Sequence, residues 1–192
     1  MEVKTGDVKA IVNLTRGADG EYYEMKNNAV SDLWEPGSTF KTASIMIALE
    51  DGKIDVNKVV DCAPGIVKMY GRNMKDHNWH KGGYKELKVE DILGQSSNIG
   101  VSKIIDEAYS GNPSAYVDGL HRIGVGIPLN LPFVGKGEPY VPHPRNKERF
   151  WSKPDLPWMS IGYVTMLPPI STLTFYNAIA NGGKMVRPRF VK

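Results

Sequence analysis

Around residues 38–50 the apolar positions fall at nearly every angle of a helical wheel. They are Phe40, Ala43, Ile45, Met46, Ile47, Ala48 and Leu49. That pattern predicts a helix buried on most sides, closed by Asp51-Gly52. Upstream, residues 7–14 (DVKAIVNL) alternate as a half-buried strand does, with Lys4-Thr5-Gly6 as the turn that leads in. Residues 15–34 are polar and contain glycine, which predicts loop with a short strand. Residues 53–88 hold short extended pieces between turn residues. A second helical region follows in two pieces, 89–95 and 99–110, jointed at Ser96-Ser97-Asn98 and stopped by Gly111-Asn112-Pro113. A short helix is expected over 115–124, halted at Gly124-Val125-Gly126. The prolines and turn formers of 125–158 predict a long loop region. The stretch PPISTLTFYNAIANGG then reads as a helix with prolines at its start and Asn181-Gly182-Gly183 at its end. KMVRPRFV looks like the beginning of another strand.

Composition changes little. The chain has 192 residues, 41% hydrophobic and 23% charged, enough for one domain with a sizeable core. A net charge of +3 is too slight to argue for nucleic acid. No apolar run approaches the ~18 residues that span a bilayer, and no charged-then-apolar leader is visible. Cys62 is the single cysteine, so no internal disulfide can form. There is no internal repeat.

The chemistry concentrates at EPGSTFKT, residues 35–42. Ser38 after Pro-Gly makes a good helix N-cap, and Lys41 in a first turn is unremarkable. The alternative is a nucleophile with a base. Residues three apart share a helix face, so the Ser38 hydroxyl and Lys41 amine can meet. A helix buried all round would also bury Lys41, and burial lowers a lysine pKa toward the range a base needs. A phosphate-binding loop is excluded, because its glycines would have to stand at Phe40 and Glu35.

With Ser96-Ser97-Asn98 as a later Ser-x-Asn, EPGSTFK resembles the active-site serine motif of penicillin-binding proteins, in particular the class B monofunctional transpeptidases. SIGYVTMLPPISTLTFYNAIANGGKMVRPRFV is similar to the family's stretch between its second and third motifs, so the resemblance covers nearly the whole chain. It implies an α+β fold with helices packed on an antiparallel sheet. It further implies that residues 1–192 are a partial transpeptidase domain, without the C-terminal Lys-Thr-Gly strand region and without an N-terminal anchor and pedestal. Unpaired sheet edges, open apolar helix faces and self-association would follow.

The resemblance also assigns roles. Ser38 attacks a D-Ala-D-Ala stem peptide, Lys41 takes its proton, Ser96 relays a proton to the leaving D-alanine, and Asn98 binds the substrate backbone. No cofactor or metal is implied. The partners are peptidoglycan stem peptides, β-lactam antibiotics, and proteins of the division or elongation machinery, with the domain on the outer side of the cytoplasmic membrane. With one oxyanion donor missing, this stretch alone is expected to acylate slowly or not at all.

Two copies of these motifs are decoys. Ser110-Gly111-Asn112 precedes Pro113 and reads as a helix stop. Lys4-Thr5-Gly6 stands ahead of the serine and reads as a turn. His77 and His80 are three apart but lack a third ligand at a recognisable spacing, so a polar surface loop is expected over 76–80. His121 and His143 read as isolated. Trp151 and Trp158 read as packing residues, and HPRNKERFWSK as a solvated loop. A serine β-lactamase would need a deacylating base. Glu138 and Glu148 lie in the right region but lack the surrounding pattern. A non-catalytic β-lactam sensor of the same fold is the third alternative.

Overall fold

The computed structural model describes residues 1–147 and 150–191. The chain divides into two units, one of Met1–Glu35, Gly124–Tyr140 and Met166–Lys192, the other of Pro36–Ile123 and Val141–Thr165.

In the first unit, β1 (Thr15–Arg16) pairs antiparallel with β2 (Tyr22–Tyr23), and α1 is Asn28–Ser31. The last helix of the chain, Pro169–Ala180, belongs here too. Pro169 opens it at a position whose N–H would have no intrahelical acceptor, and the Gly183 N–H closes it on the Ala178 carbonyl at 2.8 Å. Val30, Leu131 and Ile170 form this unit's core, with Ile11, Leu129 and Phe190 packed against it.

The strand expected over 7–14 is not formed. Asp7 makes one isolated bridge, to Arg189, and the side chains join as well, Arg189 Nε to Asp7 Oδ1 at 2.5 Å. Beyond it no ladder follows, and Val12 and Leu14 are 72% and 56% exposed. Alternation marks a segment that suits a sheet, but a strand exists only where a neighbour takes its N–H and C=O groups. The strand begun at 184–191 likewise reduces to that bridge. Lys4-Thr5-Gly6 is a turn, as read: the Gly6 N–H closes on the Glu2 carbonyl at 3.0 Å with Gly6 at φ +77°. On the last helix, Leu173, Tyr176 and Ile179 are exposed.

The second unit is helical with two small ladders. A 3₁₀ turn, Gly37–Phe40, runs into α2 (Lys41–Glu50). Two antiparallel pairs follow, β3 (Val59–Asp61) with β6 (Glu86–Lys88), and β4 (Ile66–Met69) with β5 (Arg72–Lys75). Then come α3 (Val89–Gly94), α4 (Asn98–Tyr109), α5 (Pro113–Arg122) and α6 (Asp155–Ser160). The helix Pro169–Ala180 is therefore α7. Mixed helices and antiparallel ladders make the α+β class expected from the sequence.

Helix α4 is the hub of this unit. It buries Ile99, Val101, Ile104 and Ile105 completely or nearly so, and packs on α2, α3, α5 and α6. Two glycines set the spacing. A Cβ on Gly100 would stand 2.7 Å from the Ile92 side chain of α3, and one on Gly119 of α5 would stand 2.6 Å from Ile47 of α2. Helix α2 buries Ala43, Ser44, Ile45, Ile47 and Ala48, as its all-round apolar pattern predicts. Helix α6 begins inside the expected loop of 125–158 and runs past its end. Its Pro157 sits in the first turn, where a missing N–H costs no intrahelical bond.

Candidate active site

Ser38 does not cap a helix. It lies within the 3₁₀ turn, exposed, and no side-chain cap bond is made at the start of that turn or of α2. Two glycines shape this turn. Gly37 has φ +56°, and its N–H donates to the Gly162 carbonyl at 3.0 Å. Gly162 has φ +86°, and a Cβ there would stand 2.0 Å from the Gly37 carbonyl oxygen. The segment Ser160–Gly162 thus backs the serine turn with no room for a side chain.

Lys41, the first residue of α2, is only 2% exposed. Its Nζ donates to Ser96 twice, to the carbonyl oxygen at 2.5 Å and to Oγ at 2.9 Å. Burial brings its pKa down to about 8, against an opposing pull from the Asp76 charge. At that value about a tenth of the amine is neutral at pH 7, against fewer than about one in a thousand for an ordinary lysine. Lys41 and Ser38 are not hydrogen-bonded to each other. Three-residue spacing in a 3₁₀ turn still stacks them on one side, but the amine is held by Ser96.

Ser96 and Asn98 come from the α3–α4 joint. Ser96 takes φ +53°, a left-handed conformation that turns the chain between the helices. Ser97, next along, is the N-cap of α4 and accepts from the Gly100 N–H at 2.9 Å. Asn98 is anchored by its Nδ2, which donates to the Lys75 carbonyl at the end of β5 at 2.7 Å. Its Oδ1 is thereby left as the acceptor of the pair.

The joint depends on a residue that the sequence placed in a surface loop. Asp76 is 1% exposed. Its carboxylate accepts the Ser97 hydroxyl at 2.9 Å and the Ile99 N–H at 3.0 Å. No linear signal pairs Asp76 with Ser97, 21 residues on. The rest of 76–80 is closer to expectation. His77 meets Tyr84 edge-on at 5.7 Å, and His80 meets Trp79 at 6.3 Å. Among the described residues no three His, Cys, Asp or Glu side chains gather as a metal site.

Beneath the serine turn, the Ser44 hydroxyl donates to the Ser160 carbonyl at 2.7 Å and pairs with the Tyr116 hydroxyl at 2.7 Å. This buried chain ties α2 and α5 to the end of α6. Burial pushes the Tyr116 phenol well above the ordinary tyrosine range, so it stays a neutral hydrogen-bonding group.

His121 and His143 are not isolated. Their rings stack at 6.4 Å, and His143 Nε2 lies 3.1 Å from Asp118 Oδ1. Burial, then the neighbouring His143, lowers the His121 pKa. Trp158 lies on α6 with the Arg72 guanidinium 6.0 Å from its ring centre. Ser110 is the C-cap of α4, in keeping with its reading as a stop. Glu138 faces Lys136 at 3.7 Å, and Glu148 lies outside the described residues.

The chain is 34% identical over 188 residues to peptidoglycan D,D-transpeptidase FtsI of Escherichia coli K12, covering 95% of this chain and 30% of that protein. It is 34% identical over 163 residues to the probable peptidoglycan D,D-transpeptidase PbpC of Pseudomonas aeruginosa, covering 84% of this chain and 27% of that protein. It thus spans less than a third of the length of these curated relatives. The apo transpeptidase domain of Burkholderia pseudomallei penicillin-binding protein 3 matches at a TM-score of 0.79 and 25% identity, covering 98% of this chain and 50% of that one. A crystal structure titled as a peptidoglycan glycosyltransferase from Burkholderia ambifaria matches at 0.81 and 26%, covering 99% and 54%. The family model for the penicillin-binding protein transpeptidase domain matches residues 1–192, and the chain belongs to that family.

Proposed function

We propose that this chain supplies the nucleophile half of a serine D,D-transpeptidase site that cross-links peptidoglycan and is the target of β-lactams. The observation that carries the reading is the buried Lys41 amine, 2.9 Å from the Ser96 hydroxyl and one turn from an exposed Ser38.

In this reading, the neutral fraction of Lys41 takes the Ser38 proton as Oγ attacks the penultimate D-alanine carbonyl of a stem peptide. The tetrahedral oxyanion leans on the Ser38 N–H and on a second N–H from a Lys-Thr-Gly strand. The proton held by Lys41 passes through the Ser96 hydroxyl to the departing D-alanine amine, leaving an ester on Ser38. An amine of a neighbouring stem peptide then attacks that ester. It gives its proton back along the same path, and Ser38 is released. Asn98 Oδ1 accepts from the substrate backbone. Lys41 is suited to both directions because its pKa lies near the working pH, so neither uptake nor release of the proton is steeply uphill. The site would work on the extracytoplasmic face of the membrane, where division or elongation proteins are its neighbours. Among the described residues no helix is long and apolar enough to cross a membrane.

Within these 192 residues the Lys-Thr-Gly triplet occurs only at Lys4–Gly6, in a turn. Loss of one oxyanion donor costs about 10²–10³ in rate. Incubation with excess penicillin over hours, read by intact mass and peptide mapping, should give a slow adduct on Ser38 that Ser38→Ala abolishes. An adduct on any other residue contradicts the catalytic reading. Rapid stoichiometric labelling contradicts the need for the second donor. Prompt hydrolysis of the drug favours the β-lactamase reading.

A further inference from the structure

Asp76 has no part in the chemistry just described, yet it is the buried carboxylate nearest to it in the network. Burying a carboxylate is costly unless its oxygens are satisfied and a cation answers its charge. Its oxygens are satisfied by two groups of one short segment. The Ser97 hydroxyl donates to both, at 3.1 and 2.9 Å, and the Ile99 N–H donates to Oδ1 at 3.0 Å. Those donors flank Asn98, and the first of them, Ser97, directly follows Ser96. The left-handed Ser96 is therefore held between two fixed points, the Lys41 amine on one side and the Asp76-bound cap on the other.

The charge is answered across the same joint. Tyr84, before β6, and the Cys62 thiol, after β3, both feel the Asp76 charge, and burial holds both thiol and phenol in their neutral forms. Lys103 of α4 faces Cys62 but spends its amine on the Asp61 carbonyl at 2.6 Å. Lys41 of α2 is a cation that feels the Asp76 charge. The two form no direct ion pair: Lys41 is bonded to Ser96, Asp76 to Ser97, and the peptide bond joins the two serines.

We propose that Asp76 is a positioning residue of the acyl-transfer site: its carboxylate pins the α3–α4 joint that presents Ser96, and its charge anchors the Lys41 amine against that serine. The proposal rests on the catalytic reading above, and its test has a readout that does not. Lys41 is followed by carbon NMR of ε-labelled lysine, with Lys41→Arg assigning the signal.

In Asp76→Asn the amide oxygen can still accept from the Ile99 N–H and the Ser97 hydroxyl, but the charge is gone. Removing a negative neighbour disfavours the ammonium, so the Lys41 titration midpoint should fall by about half a pH unit or more. A folded Asp76→Asn protein with an unchanged midpoint overturns the proposal, since a purely structural carboxylate would leave it in place. If Asp76→Asn does not fold, Ser97→Ala decides. It keeps the charge and loosens the joint, so the Lys41 midpoint should hold while penicillin labelling of Ser38 slows about tenfold. Unchanged labelling overturns the proposal. The NMR readout does not pass through acylation, so it stands whether or not the wild-type chain labels.

Discussion

At the scale of single residues, the site turns on how Lys41 is buried. Its amine lies against a carbonyl and a hydroxyl of Ser96 with no carboxylate in contact, so the cost of desolvation outweighs the distant help of Asp76. The protonated form is therefore less stable folded than unfolded. Between the folded value of about 8 and the ordinary value of 10.5, the unfolded chain binds more protons. Stability must then rise with pH across that window. Compared with Lys41→Met, which lacks the titrating group, the wild-type chain should gain on the order of 3 kcal/mol from pH 8 to 10.5. Chemical denaturation at a series of pH values checks this, and parallel curves for the two proteins would contradict it. The candidates Ser38, Lys41, Ser96 and Asn98 all come from short motifs, because each motif is local. Asp76 could not, because it reaches the site through the tertiary fold, from the far end of a hairpin.

At the scale of elements, the legible ones carry their own punctuation. Helix α2 ends at Asp51-Gly52, α5 opens on Pro113, and α7 runs from Pro169 to the glycines at 182 and 183. Residues 7–14 were misleading because alternation records a preference and not a partner. Helix α6 was hidden because Pro157 reads as a breaker unless its first-turn position is known. The serine turn shows the same limit. Nothing local to EPGSTFK reveals that Gly162 backs it. That contact makes Gly162→Ala a sharp test. The new Cβ would overlap the Gly37 carbonyl at 2.0 Å, and alanine disfavours φ +86°. The variant should lose about 1–3 kcal/mol or more of stability, and Ser38 should label more slowly even where the protein remains folded. Melting curves together with penicillin labelling check both. A variant that melts and labels like wild type would show that the turn does not depend on this contact.

At the scale of the whole molecule, the chain carries the first two motifs of its family on one unit, held by the hub helix α4. The joint before α4, the first turn of α2 and the Gly162 segment all belong to that unit, so its packing alone fixes Lys41 against Ser96. The central claim is that this packing prepares Lys41 as the base for Ser38. The most direct measurement is the pH dependence of the Ser38–penicillin adduct rate, under excess drug, from pH 6 to 10. The rate should climb as Lys41 loses its proton and level off above a midpoint near 8. A rate that does not change across that range, or one that climbs only near 10.5, would contradict it.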